Sequence, residues 1–402
     1  MASGSPHLQR LEIKTMPQSR YTVEKISSEQ ELLLLREDWN RLSKAADQPN
    51  VFTTFDWYEA WFKCFAKTDR TGLLQRCVFV LKDNGAVCGI APLTFSEVSK
   101  FGVRLRRLRF ACRNHEWDYN DLLVGADLDC QALALANYLN QNKGDWDLVD
   151  LVDVRAAGGA VSTIQFAMKR EGLRCLVLPA DERCPYFPIE GTWEQMIHQR
   201  SRSTRRSFRN RQLRQAKTVG NRLRVRILDA PHKEPELLTR MIALEAQKRS
   251  RGMLSAPFLG KYAQVFESLW SALSAKGWLC VTLLELDDRM VAFQLLFRCR
   301  KKLWGYLTAY DHELAYLSPG STLISEATDY GFAHGFDEFD FLSGEEGYKL
   351  HWATDFHLRS RILIWNDRMK SKAYSALLIR HLQSNNSRSR KAESAIFERQ
   401  AY

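Results

Sequence analysis

The stretch Lys301–Trp352, KKLWGYLTAYDHELAYLSPGSTLISEATDYGFAHGFDEFDFLSGEEGYKLHW, decides how the chain is read. Leu303–Tyr310 alternates and is aromatic enough for a strand; Ser318-Pro319 opens a helix that ends at Gly335, and Phe339–Leu342 reads as the next strand. Ser318 suits the N-cap and Pro319 the first helical position, where a missing N–H is no loss. Gly320, Ser321 and Thr322 should then present free N–H groups, an end suited to an anion. The plain alternative is that Ser-Pro-Gly is only a good helix start.

Polar side chains gather at the same rim. Tyr310 and Asp311 follow the first strand, Asp340 lies within the second, and Glu345, Tyr348 and Lys349 come just beyond it. A diphosphate on Ser318, Gly320, Ser321 and Thr322 would send its attached arm along the strand ending at Tyr310. That layout suits an acyl-CoA enzyme.

Several stretches carry a resemblance: FTTFDWYEAWFKCF (Phe52–Phe65), GIAPL (Gly89–Leu93), DYNDLL (Asp118–Leu123), RSTRRSFRNRQLRQ (Arg202–Gln215), AYDHELAYLSPGSTL (Ala309–Leu323) and FDFLSGEEGYK (Phe339–Lys349). In order and spacing they resemble the GNAT acyltransferase superfamily, and within it the CelD/BcsL-like group associated with cellulose and exopolysaccharide production. The double architecture is related to that of the Fem-type peptidyltransferases. The resemblance implies an α/β fold of tandem GNAT-like units, with mixed, mostly antiparallel central sheets flanked by helices. It implies acetyl-CoA or another acyl-CoA as co-substrate and a saccharide acceptor. One departure stands out: Ser318-Pro319-Gly320-Ser321 replaces the superfamily's usual glycine-rich diphosphate loop.

Outward from this stretch, 402 residues allow two domains of ordinary size. No apolar run approaches a membrane span, and the first residues lack the apolar core of a secretory signal, so a cytoplasmic protein is expected. The nine cysteines are scattered without a C-x-x-C pair, which speaks against a zinc site or a disulfide framework; no metal is expected. The net charge of +11 favours an anionic partner, and it is concentrated: His198–Lys217 holds seven arginines and one lysine without an acid. Arg205 and Arg206 in this basic helix (198–217) could meet CoA phosphates, an anionic substrate, tRNA or a membrane surface, or form only a solvated face.

The expected organisation is a disordered segment 1–20, a first unit 21–190, a second unit 191–370, and a helix with a basic disordered tail over 371–402. Ser28-x-x-Glu31 and Thr192-x-x-Gln195 are capping boxes. A strand, a polar turn and a strand occur at Cys77–Phe95 and again at Leu279–Phe297, which points to an internal duplication. The first copy has no counterpart of the Ser318 helix start, so in the light of the resemblance it is a degenerate copy shaping the substrate cleft. The loop Arg113–Asp121, with Trp117 and Asp118, would suit a sugar or amine, or be a solvated loop.

Acyl transfer to an amine requires a base, donors for the oxyanion and a proton for the thiolate. Asp340 or Glu345 could be the base if burial raises its pKa. The superfamily resemblance assigns the thiolate's proton to Tyr348, and the Fem-type likeness assigns carbonyl polarisation to Lys349. Asp311, Arg205, Arg206, Asp118 and Trp117 complete the expected substrate contacts. A Fem-like transfer from aminoacyl-tRNA is the second reading, and a non-catalytic nucleotide- or partner-binding component of a polysaccharide synthesis system the third.

Overall fold

The computed structural model describes residues 20–46, 50–65, 74–111, 118–125, 127–155, 159–180, 182–250 and 261–400. Its strands are β1 (Tyr21–Ile26), β2 (Gln75–Asp83), β3 (Ala86–Lys100), β4 (Val103–Phe110), β5 (Leu123–Val124), β6 (Leu148–Arg155), β7 (Arg174–Pro179), β8 (Cys184–Pro188), β9 (Leu223–Leu228), β10 (Leu279–Leu286), β11 (Arg289–Cys299), β12 (Lys302–Tyr310), β13 (Glu338–Asp340), β14 (Asp355–His357) and β15 (Arg359–Trp365). The helices are α1 (Glu29–Leu34), α2 (Arg36–Ala45), α3 (Phe55–Phe65), α4 (Leu128–Gln141), α5 (Ala160–Arg170), α6 (Trp193–Gln199), α7 (Arg202–Thr218), α8 (Leu237–Ser250), α9 (Lys261–Ala275), α10 (Pro319–Ala333), α11 (Gly347–Trp352) and α12 (Met369–Gln400).

Both expected capping boxes form, at Ser28 on α1 and Thr192 on α6. Both expected hairpins form as well. β2 and β3 turn at Asn84 and Gly85, and β10 and β11 at Asp287 and Asp288; all four residues have positive φ, the left-handed backbone that tight hairpin turns require.

Two mixed, mostly antiparallel sheets result, with strand orders β1-β2-β3-β4-β6-β15-β7, where β5 pairs off β3, and β14-β8-β13-β12-β11-β10-β9. Each sheet borrows a strand across the expected boundary near residue 190. β8, which precedes that boundary, sits between β13 and β14, while β15, beyond the second sheet in sequence, inserts between β6 and β7. The helix expected over Ala373–Leu382 begins at Met369 and runs through the expected disordered tail to Gln400. The expected disorder of 1–20 falls, except for Arg20, outside the described residues.

The aromatic stripe of α3 is core, and it joins the two sheets. Phe55, Trp57, Tyr58, Trp61 and Phe62 are buried; Trp57 meets Phe297 edge-on at 5.4 Å, and Phe52 lies 6.2 Å from Trp304 with the rings nearly parallel. Each such ring removed from water contributes about 1.5–3 kcal/mol, so the sheets share one apolar layer. None of the described helices is long and apolar enough to cross a membrane.

Candidate active site at the parted strands

The site begins where two parallel strands separate. β12 and β13 pair only over Lys302–Glu338, Leu303–Phe339 and Trp304–Asp340, although β12 continues to Tyr310. Beyond Trp304, β13 no longer pairs with β12. At Gly305 a side chain would press on Phe339, 3.2 Å from a Cβ, so glycine lets the strands stay close at the apex. α10 starts beyond the far end of β12.

The mouth of α10 differs in detail from expectation. Ser318 is not a side-chain N-cap: it lies in the left-handed region at φ 54° and makes no capping hydrogen bond. The reason is the 3-10 turn His312–Leu317, which runs directly into α10 and leaves Ser318 as the kink between them; Asp311 caps that turn instead, accepting from Glu313 N at 3.1 Å. Thr322 is also corrected. Its N–H donates to Ser318 O at 3.2 Å, and its hydroxyl accepts from Gln215 Nε2 at 2.8 Å, so it offers no free amide. Gly320 and Ser321 remain as first-turn residues whose N–H groups have no partner within the helix. Around Gly320 the space is open, with nothing within 4 Å of where a Cβ would stand. Pro319 is buried there, and Arg214 and Gln215 of α7 donate to the carbonyls of Tyr316 and Leu317 at 2.6 and 2.8 Å, bringing the basic helix to the mouth.

At the apex, alternation on β13 places Glu338 and Asp340 on one face and Phe339 on the other. Asp340 is fully enclosed. Its Oδ2 accepts from Tyr119 of the first unit at 2.6 Å and its Oδ1 from Leu342 N at 2.7 Å; burial pushes its carboxyl above the ordinary range, with His357 and these hydrogen bonds opposing. His357 Nε2 lies 2.9 Å from Glu338 Oε1 and 3.9 Å from Asp340 Oδ2, and its ring stacks on Tyr186 at 3.9 Å. The Glu338 carboxylate also accepts from Lys302 at 2.9 Å. Glu338, Asp340 and His357 thus bring three potential ligand atoms within 4.8 Å. A metal fits poorly there, because the Lys302 ammonium already supplies positive charge and Tyr119 and Leu342 occupy Asp340.

A second buried layer ties the two units together behind Asp340. Arg359 donates to the carbonyls of Asp118 at 2.8 Å and Glu182 at 3.1 Å and to the Ser343 hydroxyl at 2.6 Å, and pairs with Asp153 at 3.1 Å. Asp118 is enclosed and accepts from Ser343 N at 3.1 Å; burial raises its carboxyl to about 6, with Arg359 and Lys349 opposing. Arg155 lies 4.4 Å above the Tyr119 ring.

The expected residues separate as follows. Glu345 cannot be a base with a raised pKa. Arg183 grips it through two hydrogen bonds of 2.8 and 2.6 Å, which hold its carboxyl below the ordinary range. Lys349 is buried, with its ammonium spent on Ser343 O and on Glu346 at 3.0 Å, so it braces the 343–346 turn. Tyr348 is half-exposed on α11 and packs edge-on to Phe341. Asp311 pairs with Arg289 at 3.1 Å, and Tyr310 ends β12 beside His312. Arg205 and Arg206 are exposed on α7. Trp117 lies outside the described residues.

Sequence reading missed Glu338, His357, Tyr119 and Arg359 as partners. The Glu-Phe-Asp alternation was a usable signal for Glu338, whereas His357 stands alone in a three-residue strand.

This geometry is that of two tandem GNAT-like α/β units. Residues 202–350, within the second unit, match the family model described as Acetyltransf_6, "Acetyltransferase (GNAT) domain". Among solved structures, FemX is similar at 13% identity and a TM-score of 0.56, covering 88% of this chain and 99% of its own. A conserved protein of unknown function from Bacteroides thetaiotaomicron VPI-5482 is similar at 11% identity and 0.55, covering 86% of this chain and 100% of its own. At such identities the likeness concerns the fold. No curated protein matches the sequence.

Proposed function

We propose that the chain is an acyl-CoA-dependent N-acyltransferase, with acetyl-CoA as the donor tested first, that acylates an amine or hydroxyl of a sugar or polysaccharide precursor. The observation that carries the reading is the parting of β12 and β13 after the Trp304–Asp340 pair, followed beyond Tyr310 by the open first turn of α10. Gly320 and Ser321 would hold the diphosphate, with the attached arm running along β12. Arg214, at the same mouth, adds positive charge. The saccharide acceptor rests on the CelD/BcsL-like resemblance. The test is free thiol release from acetyl-CoA with a panel of amines and amino sugars. Release above the no-protein rate supports the reading; its absence, together with no acetyl-CoA binding, removes it.

One observation favours a second reading, transfer from aminoacyl-tRNA. Arg202, Arg205, Arg206 and Arg209 lie exposed on one helix, and neither Arg205 nor Arg206 pairs with a carboxylate among the described residues. Such a row suits an RNA backbone. That reading expects tRNA affinity to fall steeply with salt and to drop at least about tenfold in the double variant Arg205→Ala, Arg206→Ala, as loss of two phosphate contacts implies. The acyl-CoA reading expects thiol release from acetyl-CoA in the absence of any tRNA.

A further inference from the structure

We propose that His357 is the general base of the transfer, oriented by Glu338; the assignment deepens the acyltransferase reading and rests on it. Glu338 Oε1, a carboxylate oxygen, can only accept, so the 2.9 Å contact places the proton on Nε2 and leaves the lone pair on Nδ1. Nδ1 has no hydrogen-bond partner among the described residues, and the side chain keeps 22% of its surface in solvent. The ring is fixed from both sides of its plane and edge, by stacking on Tyr186 and by the carboxylate. This is the arrangement a base needs: one nitrogen anchored, the other free to take a proton.

The position is right for the chemistry proposed. β14, which carries His357, pairs with β8, and β8 pairs with β13, so the imidazole projects over the face that holds Asp340, whose partner Trp304 is the last paired residue before the strands part. The rival base, Asp340, is completely enclosed and has both oxygens engaged, so an incoming amine meets His357 first. The groups that face the imidazole are Glu338 and Asp340 from β13, Tyr186 from β8 and Tyr119 from the first unit, whose ring lies 6.4 Å away. Lys302 acts on it through Glu338, Asp355 through the Tyr186 hydroxyl at 3.4 Å, and Arg155 through the Tyr119 ring.

In the step itself the amine nitrogen forms a C–N bond to the thioester carbon and the C–S pair departs with sulfur. The proton lost by nitrogen passes to Nδ1 and on to water, and the thiolate takes a proton from solvent. The sum converts an N–H and an S–acyl bond into an N–acyl and an S–H bond, with no oxidant or reductant.

The test follows thiol release from acetyl-CoA, with glucosamine and with water alone as acceptor, between pH 5.5 and 9, alongside calorimetric binding of acetyl-CoA. In His357→Gln, release at pH 7 should fall about 10²- to 10⁴-fold, the usual worth of a positioned base, and its acid limb should vanish while acetyl-CoA affinity is kept. Glu338→Gln should lower release by less than His357→Gln does and move the acid limb to lower pH, because the negative charge that favours the imidazolium is gone. In the wild type, the His357 ring resonances should titrate with the midpoint of that limb, a comparison that needs no variant. His357→Gln that binds acetyl-CoA and keeps the release rate and the limb overturns the assignment, as does a ring that titrates elsewhere. Wild-type protein that binds acetyl-CoA but releases no thiol overturns it too. Failure of the wild type to bind acetyl-CoA removes the acyltransferase reading itself and His357's role with it.

Discussion

Arg359→Met is expected to lower the unfolding free energy by roughly 3–5 kcal/mol, the range for removing one partner of a buried charged cluster. The Arg359 side chain is only 3% exposed and binds groups from both units: Asp118, Asp153 and Glu182 from the first, and Ser343 from the second. Methionine fills much of the same volume, so little of the loss should come from a cavity. What is lost is the donor set for two buried carbonyls, a hydroxyl and a carboxylate, at the point where β15 enters the first sheet. Urea unfolding measures it. The internal control is Arg20→Met, which removes an exposed ion pair with Asp83 and should leave stability nearly unchanged. An Arg359→Met loss as small as the control's would mean that the two units are held by the apolar layer alone.

The second large effect is a dependence on pH carried by Asp118. Its carboxyl is raised from 3.8 to about 6 in the folded chain, by burial first, so the folded state holds a proton that the unfolded state releases. The sign follows from that difference. Below pH 3.8 the group is neutral in both states; between 3.8 and about 6 stability falls as pH rises, and above about 6 the loss is complete. The gap corresponds to about 3 kcal/mol at roughly 1.36 kcal/mol per pH unit. In Asp118→Asn the side-chain amide is neutral at every pH and keeps the oxygen that accepts from Ser343 N. The stability of that variant relative to wild type should therefore be near zero at about pH 4 and rise to about 3 kcal/mol at about pH 7. The comparison cancels other titrating groups, including Glu345 and Asp147, whose lowered carboxyls act in the opposite direction. A difference that does not change with pH would show Asp118 ionised throughout.

Local signals were legible where the physics is local. Capping boxes at Ser28 and Thr192, the hairpins at Asn84-Gly85 and Asp287-Asp288, and the strand–helix–strand unit around α10 each follow from a few neighbouring residues, and the duplication was visible because the hairpin recurs. The exchange of β8 and β15 was hidden, since strand pairing between sheets leaves no mark within either strand. The side-chain partners around the candidate site were hidden for the same reason: Tyr119 and Asp340 are 221 residues apart, and Arg183 and Glu345 are separated by 162. Sequence alone offered both Asp340 and Glu345 as the base. What separates them is an arginine beside one and enclosure around the other. Ser318 misled because Ser-Pro suits an N-cap, while the preceding 3-10 turn, capped by Asp311, imposes a kink there.

Binding of acetyl-CoA by calorimetry, wild type against Gly320→Trp, tests the central claim most directly. The space around Gly320 is open, so the indole should be accepted without disturbing the core and should cover the first-turn amides. The account predicts that wild-type protein binds and that the variant, folded to the same melting temperature, binds at least about tenfold more weakly, as loss of one charge-assisted hydrogen bond of about 1.5–3 kcal/mol requires. Equal affinity in the two proteins, or no binding by the wild type, would contradict it.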